Sequence, residues 1–260
     1  MQKIVNHPIS FYTFDHLSTF SEIRHFVSSG AYSIGFSELY SQQEICRNRQ
    51  MLAHAIGFDL DKMVTAQQVH GTHVAIINTE DAGRGACSRE SRIPETDALV
   101  TDCCNICLTV LSADCVPVLF YDPTKHVAAA AHSGWKGTAA RIVQETVGTM
   151  QSTFGCQPKD IIVGIGPSIG PCCFEVSEDV AEIFTDLYPE TVTPGKRTGK
   201  FQVDLWKCIR LELLDCGLED EHIETAGLCS VCHPDHFHSY RRDHEKAGRF
   251  GAGIMLIQKK

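Results

Sequence analysis

Between Ala98 and Ala131 the chain passes through four apolar segments with almost nothing between them: ALVTD (98–102), ICLTVLSA (106–113), VPVLFY (116–121) and HVAAAA (126–131). Each has the length of a strand. The gaps, one of them the turn-forming Asp122-Pro123, leave no room for a helix. Strands grouped in this way do not alternate strictly with helices, so the expected class is α+β. Two more strands are predicted at DIIVGIG (160–166) and GIMLIQ (253–258).

Three helices complete the pattern. From Thr138 to Phe154, the residues Val143, Val147, Met150 and Phe154 fall on one helical face, and Gly155 suits the stop. A second helix follows Ser177, with Glu178 and Asp179 in its first turn. The third starts near Asp204, carries Leu205, Ile209 and Leu213 on one face, and ends at Gly217. No repeat, low-complexity tract or linker divides the 260 residues. The expectation is a single domain over 1–260, with mixed β-sheets covered by helices in α/β/β/α layers.

Charge narrows the partners. With 32 acidic and 23 basic residues the net charge is −9, which argues against a broad nucleic-acid or membrane surface. The opening MQKIVNHPISFYTFDHL lacks the pattern of a signal peptide, and no apolar run approaches a bilayer-spanning length. A cytoplasmic protein is expected, and its 13 cysteines are read as reduced thiols.

Several constellations of those thiols and of histidines carry chemistry. His70 in QQVHG, Cys115 in SADC and His132 in AAHSGWKG each stand where an apolar run meets a turn, firmly placed yet open to a cleft. Two imidazoles and a thiolate suit zinc, and three ligands leave the open position of a catalytic site. Cys104/Cys107 and Cys229/Cys232 are CxxC pairs that together could close a structural zinc site. Cys229-Ser-Val-Cys232-His233 matches the covalent haem pattern. A Cys115 nucleophile activated by His132 or His70 uses the same residues. For anions, GIGPSIG (164–170) is read as a tight turn, since its glycines fit neither GxGxxG nor a P-loop. Arg241, Arg242 and Arg249 in SYRRDHEKAGR, and Arg49 at the start of a helix, have the side chain best shaped for phosphate.

With these segments in order, the chain resembles the laccase-domain family, variously called polyphenol oxidase, peptidoglycan editing factor or purine nucleoside phosphorylase. The matching stretches are QQVHGTHV, ETDALVT, SADCVPVLFYD, AAAAHSGWKGT, GIGPSIGPCCFEV, and SYRRD followed by AGR. The resemblance implies that His70, Cys115 and His132 bind one metal, zinc with copper as the alternative. It also implies phosphorolysis of adenosine, inosine, guanosine and methylthioadenosine, with adenosine deamination beside it. Metal-activated water can attack the purine's C6, and arginines can hold phosphate under the ribose. Arg49, Gln68, Arg241 and Arg242 are the expected substrate contacts, and Asp114 the candidate for proton handling.

An arginine that many relatives carry early in the chain is missing, Leu39 in GFSELYSQ standing near its place. Amide hydrolysis on a cell-wall precursor and copper oxidation remain rival readings. The second is disfavoured because the chain has one His-x-His pair, His236/His238, where a trinuclear cluster needs several.

Overall fold

The computed structural model describes residues 1–6 and 9–258. In chain order its strands are β1 (Gln2–Asn6), β2 (Ile9–Thr13), β3 (Ile23–Ser28), β4 (Met63–Thr65) and β5 (Val74–Ile76). There follow β6 (Ala98–Thr101), β7 (Cys107–Ser112), β8 (Val116–Asp122), β9 (Val127–Ser133) and β10 (Ile162–Ile165). The last are β11 (Glu175–Val176), β12 (Val192–Pro194), β13 (Phe201–Val203), β14 (Ile223–Thr225) and β15 (Phe250–Leu256). The α-helices are α1 (Gln42–Ile56), α2 (Trp135–Ala139), α3 (Ile142–Phe154), α4 (Glu178–Leu187), α5 (Leu205–Asp215) and the single turn α6 (Tyr240–Asp243).

Two six-stranded mixed sheets stack face to face, ordered β1-β2-β3-β15-β7-β4 and β14-β10-β8-β9-β6-β5; a small third sheet joins β11, β13 and β12. Strand alternation sorts the side chains. Leu99, Leu119, Tyr121, Ala128 and Ala130 of the second sheet meet Val27, Leu108, Val110, Ala252 and Ile254 of the first in one buried cluster. Their neighbours Val100, Val118, Phe120 and Ala129 point the other way, onto Val143 and Val147 of α3 and Ile209 and Leu213 of α5. Leu52 of α1 covers the far face of the first sheet with Phe11, Phe26 and Met255. The α+β class and the α/β/β/α layering expected from the sequence are therefore both present. A strand buried on both faces shows no polar alternation, which is why β8 and β9 read as continuous apolar runs.

Three local expectations need correcting. The helix expected from Thr138 is two helices, because Arg141 adopts a left-handed conformation (φ 64°) that breaks the hydrogen-bond ladder and redirects the chain to lay α3 on the sheet. Arg49 lies in the middle of α1, not at a helix start; α1 is capped before Gln42 by Ser41, whose side chain accepts from the Glu44 amide, and after Ile56 by left-handed Gly57. The thiols are not all reduced: Cys46 of α1 and Cys87 form a disulfide, with Cα atoms 5.0 Å apart, inside the range such a bridge spans.

Consecutive strands β7 and β8 belong to different sheets. Ala113-Asp114-Cys115 is thus the corner by which the chain steps from one layer to the other, and Asp114 makes the step at φ 97°, a conformation L residues seldom adopt.

Candidate metal centre and its cavity

That corner delivers Cys115 to the end of β8. On the neighbouring strand β9, His132 is the residue before the last and pairs with Pro117 across the ladder. The third contributor, His70, lies in the turn before β5, itself left-handed at φ 63°. The ligand atoms of His70, Cys115 and His132 all lie within 4.8 Å of one another, and the two imidazoles meet edge to face with ring centroids 4.9 Å apart. His132 is buried, Cys115 half-buried and His70 exposed, so the trio opens in one direction. Gly134 permits this approach. A Cβ there would sit 2.9 Å from the His70 ring and 3.0 Å from the Cys115 sulfur.

The residue that organises the trio is Asp97, fully buried. Its Oδ2 accepts the amides of Val69 (3.2 Å) and Gly71 (2.8 Å), and Oδ1 accepts the His70 amide (3.0 Å) and His132 Nδ1 (2.9 Å). Burial disfavours the carboxylate, but the hydrogen bonds from His132 and these amides outweigh it and hold the pKa below the usual range. An ionised carboxylate only accepts, so Nδ1 carries the hydrogen and Nε2 is left free to ligate. Sequence reading passed over Asp97, although it sits in the ETDALVT stretch.

The donors are electrically matched. Burial opposes ionisation of Cys115, yet the charge of His132 and hydrogen bonds from His132 and His70 draw its pKa down to about 6. Burial likewise opposes the His132 imidazolium, but the Cys115 thiolate and Asp97 raise its pKa to about 9. Without metal the pair is a thiolate and an imidazolium; a thiolate is the form that binds metal. Two imidazoles and one thiolate, one imidazole braced by a carboxylate, fit a zinc-type site with an open position.

The trio lies on the wall of a cavity of about 500 Å³. Phe36, Trp135 and Tyr240 supply aromatic surface, and Arg92, Arg241 and Arg249 supply positive charge. The expected anion and substrate residues divide sharply. Arg241 lines the cavity, its Nη1 donating to the carbonyls of Cys173 (3.0 Å) and Glu175 (3.2 Å). Arg49 does not reach it. That side chain is fully buried, donates to the carbonyls of Ile34, Gly85 and Ala86, and lies over the Phe36 ring at 4.5 Å. Arg242 is also spent on structure, bonding the carbonyls of Ser230 and Phe237 and pairing with Asp243.

Gln68 borders the cavity, but both ends of its amide are paired with the Leu111 backbone at 2.8 Å. Asp114 borders it too, with one oxygen accepting from Ser230 Oγ and the other from the Arg241 amide, each at 2.6 Å. With both oxygens engaged it positions the Arg241 segment rather than standing free to move a proton. The GIGPSIG amides serve the fold as a turn: Ser168 donates to Leu228, Ile169 to Asp114 and Gly170 to the Cys229 sulfur.

The CxxC pairing fails. Cys229 and Cys232 converge with Cys172 and Cys173, while Cys107 is buried in β7 and Cys104 lies near His126. Among the described residues, the two clusters of three or more histidine, cysteine or acidic ligands are this thiol group and the His70 trio; neither is the all-histidine set of a trinuclear copper centre. His236 is engaged by the Tyr12 hydroxyl.

The family model described as multi-copper polyphenol oxidoreductase laccase matches residues 19–257. The chain belongs to that family. It is 35% identical over 257 residues to a purine nucleoside phosphorylase of Bacteroides thetaiotaomicron, covering 94% of this chain and 95% of that one. It is 34% identical over 209 residues to adenosine deaminase RL5 of an unknown prokaryotic organism, with 79% of each covered. The solved structure of the Bacillus licheniformis hypothetical protein YfiH superposes with a TM-score of 0.91 at 28% identity, covering 98% of both chains. No helix among the described residues is long and apolar enough to cross a membrane.

Proposed function

We propose that this family member is an enzyme of purine nucleosides, cleaving adenosine, inosine, guanosine and methylthioadenosine with phosphate and also deaminating adenosine. The carrying observation is the open side of the His70–Cys115–His132 trio, which faces a cavity walled by aromatic rings and arginines. The purine nucleoside phosphorylase and adenosine deaminase among its relatives support the same class. A volume of about 500 Å³ lies in the range of small-molecule sites, and aromatic faces stack on bases for roughly 1–3 kcal/mol each.

His70, Cys115 and His132 would hold one zinc, copper being the alternative of similar donor preference. When bound, the metal supplies Lewis acidity at its open position. The chain's residues do the rest. Asp97 fixes the His132 tautomer. Phe36, Trp135 and Tyr240 offer faces to the purine. Arg241, with Arg92 and Arg249, balances an anion beside the ribose in a protein whose net charge is −9; arginine forks match phosphate oxygens. Asp114 holds the Arg241 segment in place.

One rival is favoured by a specific observation. The Cys115 thiolate beside the His132 imidazolium is also the resting pair of a cysteine hydrolase, as an amidase would need. Incubation of the purified protein with adenosine, with and without phosphate, separates the readings. Adenine formed only with phosphate, and inosine formed in either case, are expected, both abolished by chelation and restored by zinc. Turnover that survives complete metal removal but is lost on alkylation of Cys115 would assign the thiol chemistry instead.

A further inference from the structure

The structure assigns a second metal site, a tetrathiolate formed by Cys172, Cys173, Cys229 and Cys232, apart from the His70 trio. The two halves come from separate turns. Cys172 and Cys173 follow β10, in the loop that closes before β11, and Cys229 and Cys232 lie in the turn between β14 and α6. Backbone hydrogen bonds lace these turns together: Ser168 donates to Leu228 at 3.2 Å and Ser230 to Ser168 at 2.8 Å.

All four sulfurs lie within 4.8 Å of one another. The separations from Cys232 are 3.7 Å to Cys172 and 3.5 Å to Cys173. A zinc–sulfur bond of about 2.3 Å in a tetrahedron gives sulfur–sulfur edges of about 3.8 Å, so these thiols already stand near the spacing that one ion imposes. A pairwise disulfide would require about 2.0 Å, and none of the four is bonded to another.

The surroundings suit an anionic metal–thiolate centre. Cys229 accepts the Gly170 amide at 3.3 Å, the kind of outer hydrogen bond that orients ligands and stabilises thiolates. Four thiolates around a divalent ion leave a formal charge of −2, and Lys196 and Arg241 line the recess beside Cys172 and Cys173, where Arg197 is paired with Glu175. Lys196 donates to the Cys172 carbonyl at 3.1 Å and Arg241 to that of Cys173 at 3.0 Å. Cys172 and Cys232 are exposed, which provides an entry path. Four ligands with no open position make the site structural. It clamps the turns that carry Phe174 and Ser230, and through Cys173 and Ser230 it steadies the Arg241 wall of the cavity.

Metal content under reducing conditions tests this independently of the first site. Wild type should carry about two zinc ions per chain and Cys115→Ser about one; adding Cys232→Ser to the latter should remove the remainder. His70→Ala substitutes for Cys115→Ser should the latter not fold. Cobalt loaded into Cys115→Ser should give the intense sulfur-to-cobalt charge transfer and tetrahedral visible bands of a tetrathiolate, and zinc should shield the four thiols from Ellman's reagent. A folded Cys115→Ser protein that takes up no cobalt or zinc would overturn the proposal. So would peptide mapping that finds Cys232 disulfide-bonded to Cys172 or Cys173 in freshly purified protein. About one zinc in both wild type and Cys115→Ser would count against the His70 trio and support the tetrathiolate.

Discussion

Replacing Asp97 by asparagine removes one charge and almost no volume, yet it sets two requirements against each other. Each carboxylate oxygen accepts two hydrogen bonds: Oδ1 from the His70 amide and His132 Nδ1, Oδ2 from the amides of Val69 and Gly71. Asparagine has one acceptor oxygen and one amino group that only donates. If the amino group faces His132, Nδ1 must become an acceptor, the hydrogen moves to Nε2, and the ligating lone pair is lost. If it faces Val69 and Gly71, two N–H donors oppose another donor and the turn that carries His70 loosens. The first outcome should weaken metal binding by the 10–100-fold typical of an outer carboxylate, about 1.4–2.7 kcal/mol. The second should lower stability by about 1–3 kcal/mol for unsatisfied buried donors. Competition with a chromophoric chelator measures the one and urea unfolding of the metal-free protein the other. Zinc affinity within twofold of wild type together with an unchanged unfolding midpoint would refute the role given to Asp97.

Other expectations follow from the same geometry. Arg241→Ala should raise the phosphate KM of phosphorolysis at least tenfold, about 1.4 kcal/mol, while deamination in the absence of phosphate changes less; steady-state kinetics of both reactions decides it. Arg49→Ala should leave phosphate dependence alone and cost about 2–4 kcal/mol in urea unfolding, because three buried carbonyls lose a charged donor. In metal-free protein the Cys115 thiolate, followed by its ultraviolet absorbance, should appear with a midpoint near pH 6 and disappear on unfolding. The depressed Cys115 pKa adds stability as pH rises above about 6, and the raised His132 pKa of about 9 removes it over the same window. Native and unfolded chains then hold the same number of protons between about pH 6.5 and 9, and stability should be nearly flat there. Metal uptake by the His70 trio in that window, measured in a Cys232→Ser variant that lacks the tetrathiolate, should release about one proton, from His132, which calorimetry in buffers of different ionisation enthalpy detects.

The strands β6 to β10 and β15 were legible because they are long apolar runs, most of them close together in sequence, whereas β3 to β5 and β11 to β14 were not, several of them being only two or three residues long. The edge hairpin QKIVN and ISFYT was not, since its outer strand is exposed throughout and short exposed strands carry little hydrophobic signal. Of the site, the three candidate ligands that the fold brings together could be read from residue type and from their place beside apolar runs. Asp97 could not, because a buried aspartate before a strand looks like any turn acid until the fold brings Val69, Gly71 and His132 onto it from 26–35 residues away. Arg49 was misread for a related reason. Its value lies in carbonyls of a loop 36 and 37 residues on, and nothing in CRNRQML indicates that a guanidinium will be sealed inside.

The thiols make the point from the other side. A CxxC pair states that two ligands share a turn, but not which turn will face them; Cys232 finds partners 59 and 60 residues upstream in a PCC sequence with no metal-binding spacing of its own. The Ser168 backbone pairs the two turns through Leu228 and Ser230, and the corner at Ala113–Cys115 ties both down, Asp114 accepting from Ile169 and from Ser230. By stepping from one sheet to the other it sends the Cys115 thiol into the His70 trio and holds Ser230 and the Arg241 amide on the Asp114 carboxylate. The cavity wall that faces substrate and the turns that carry the four thiols are therefore fastened to one strained residue. A change at Asp114 should reach the arginine before it reaches the metal.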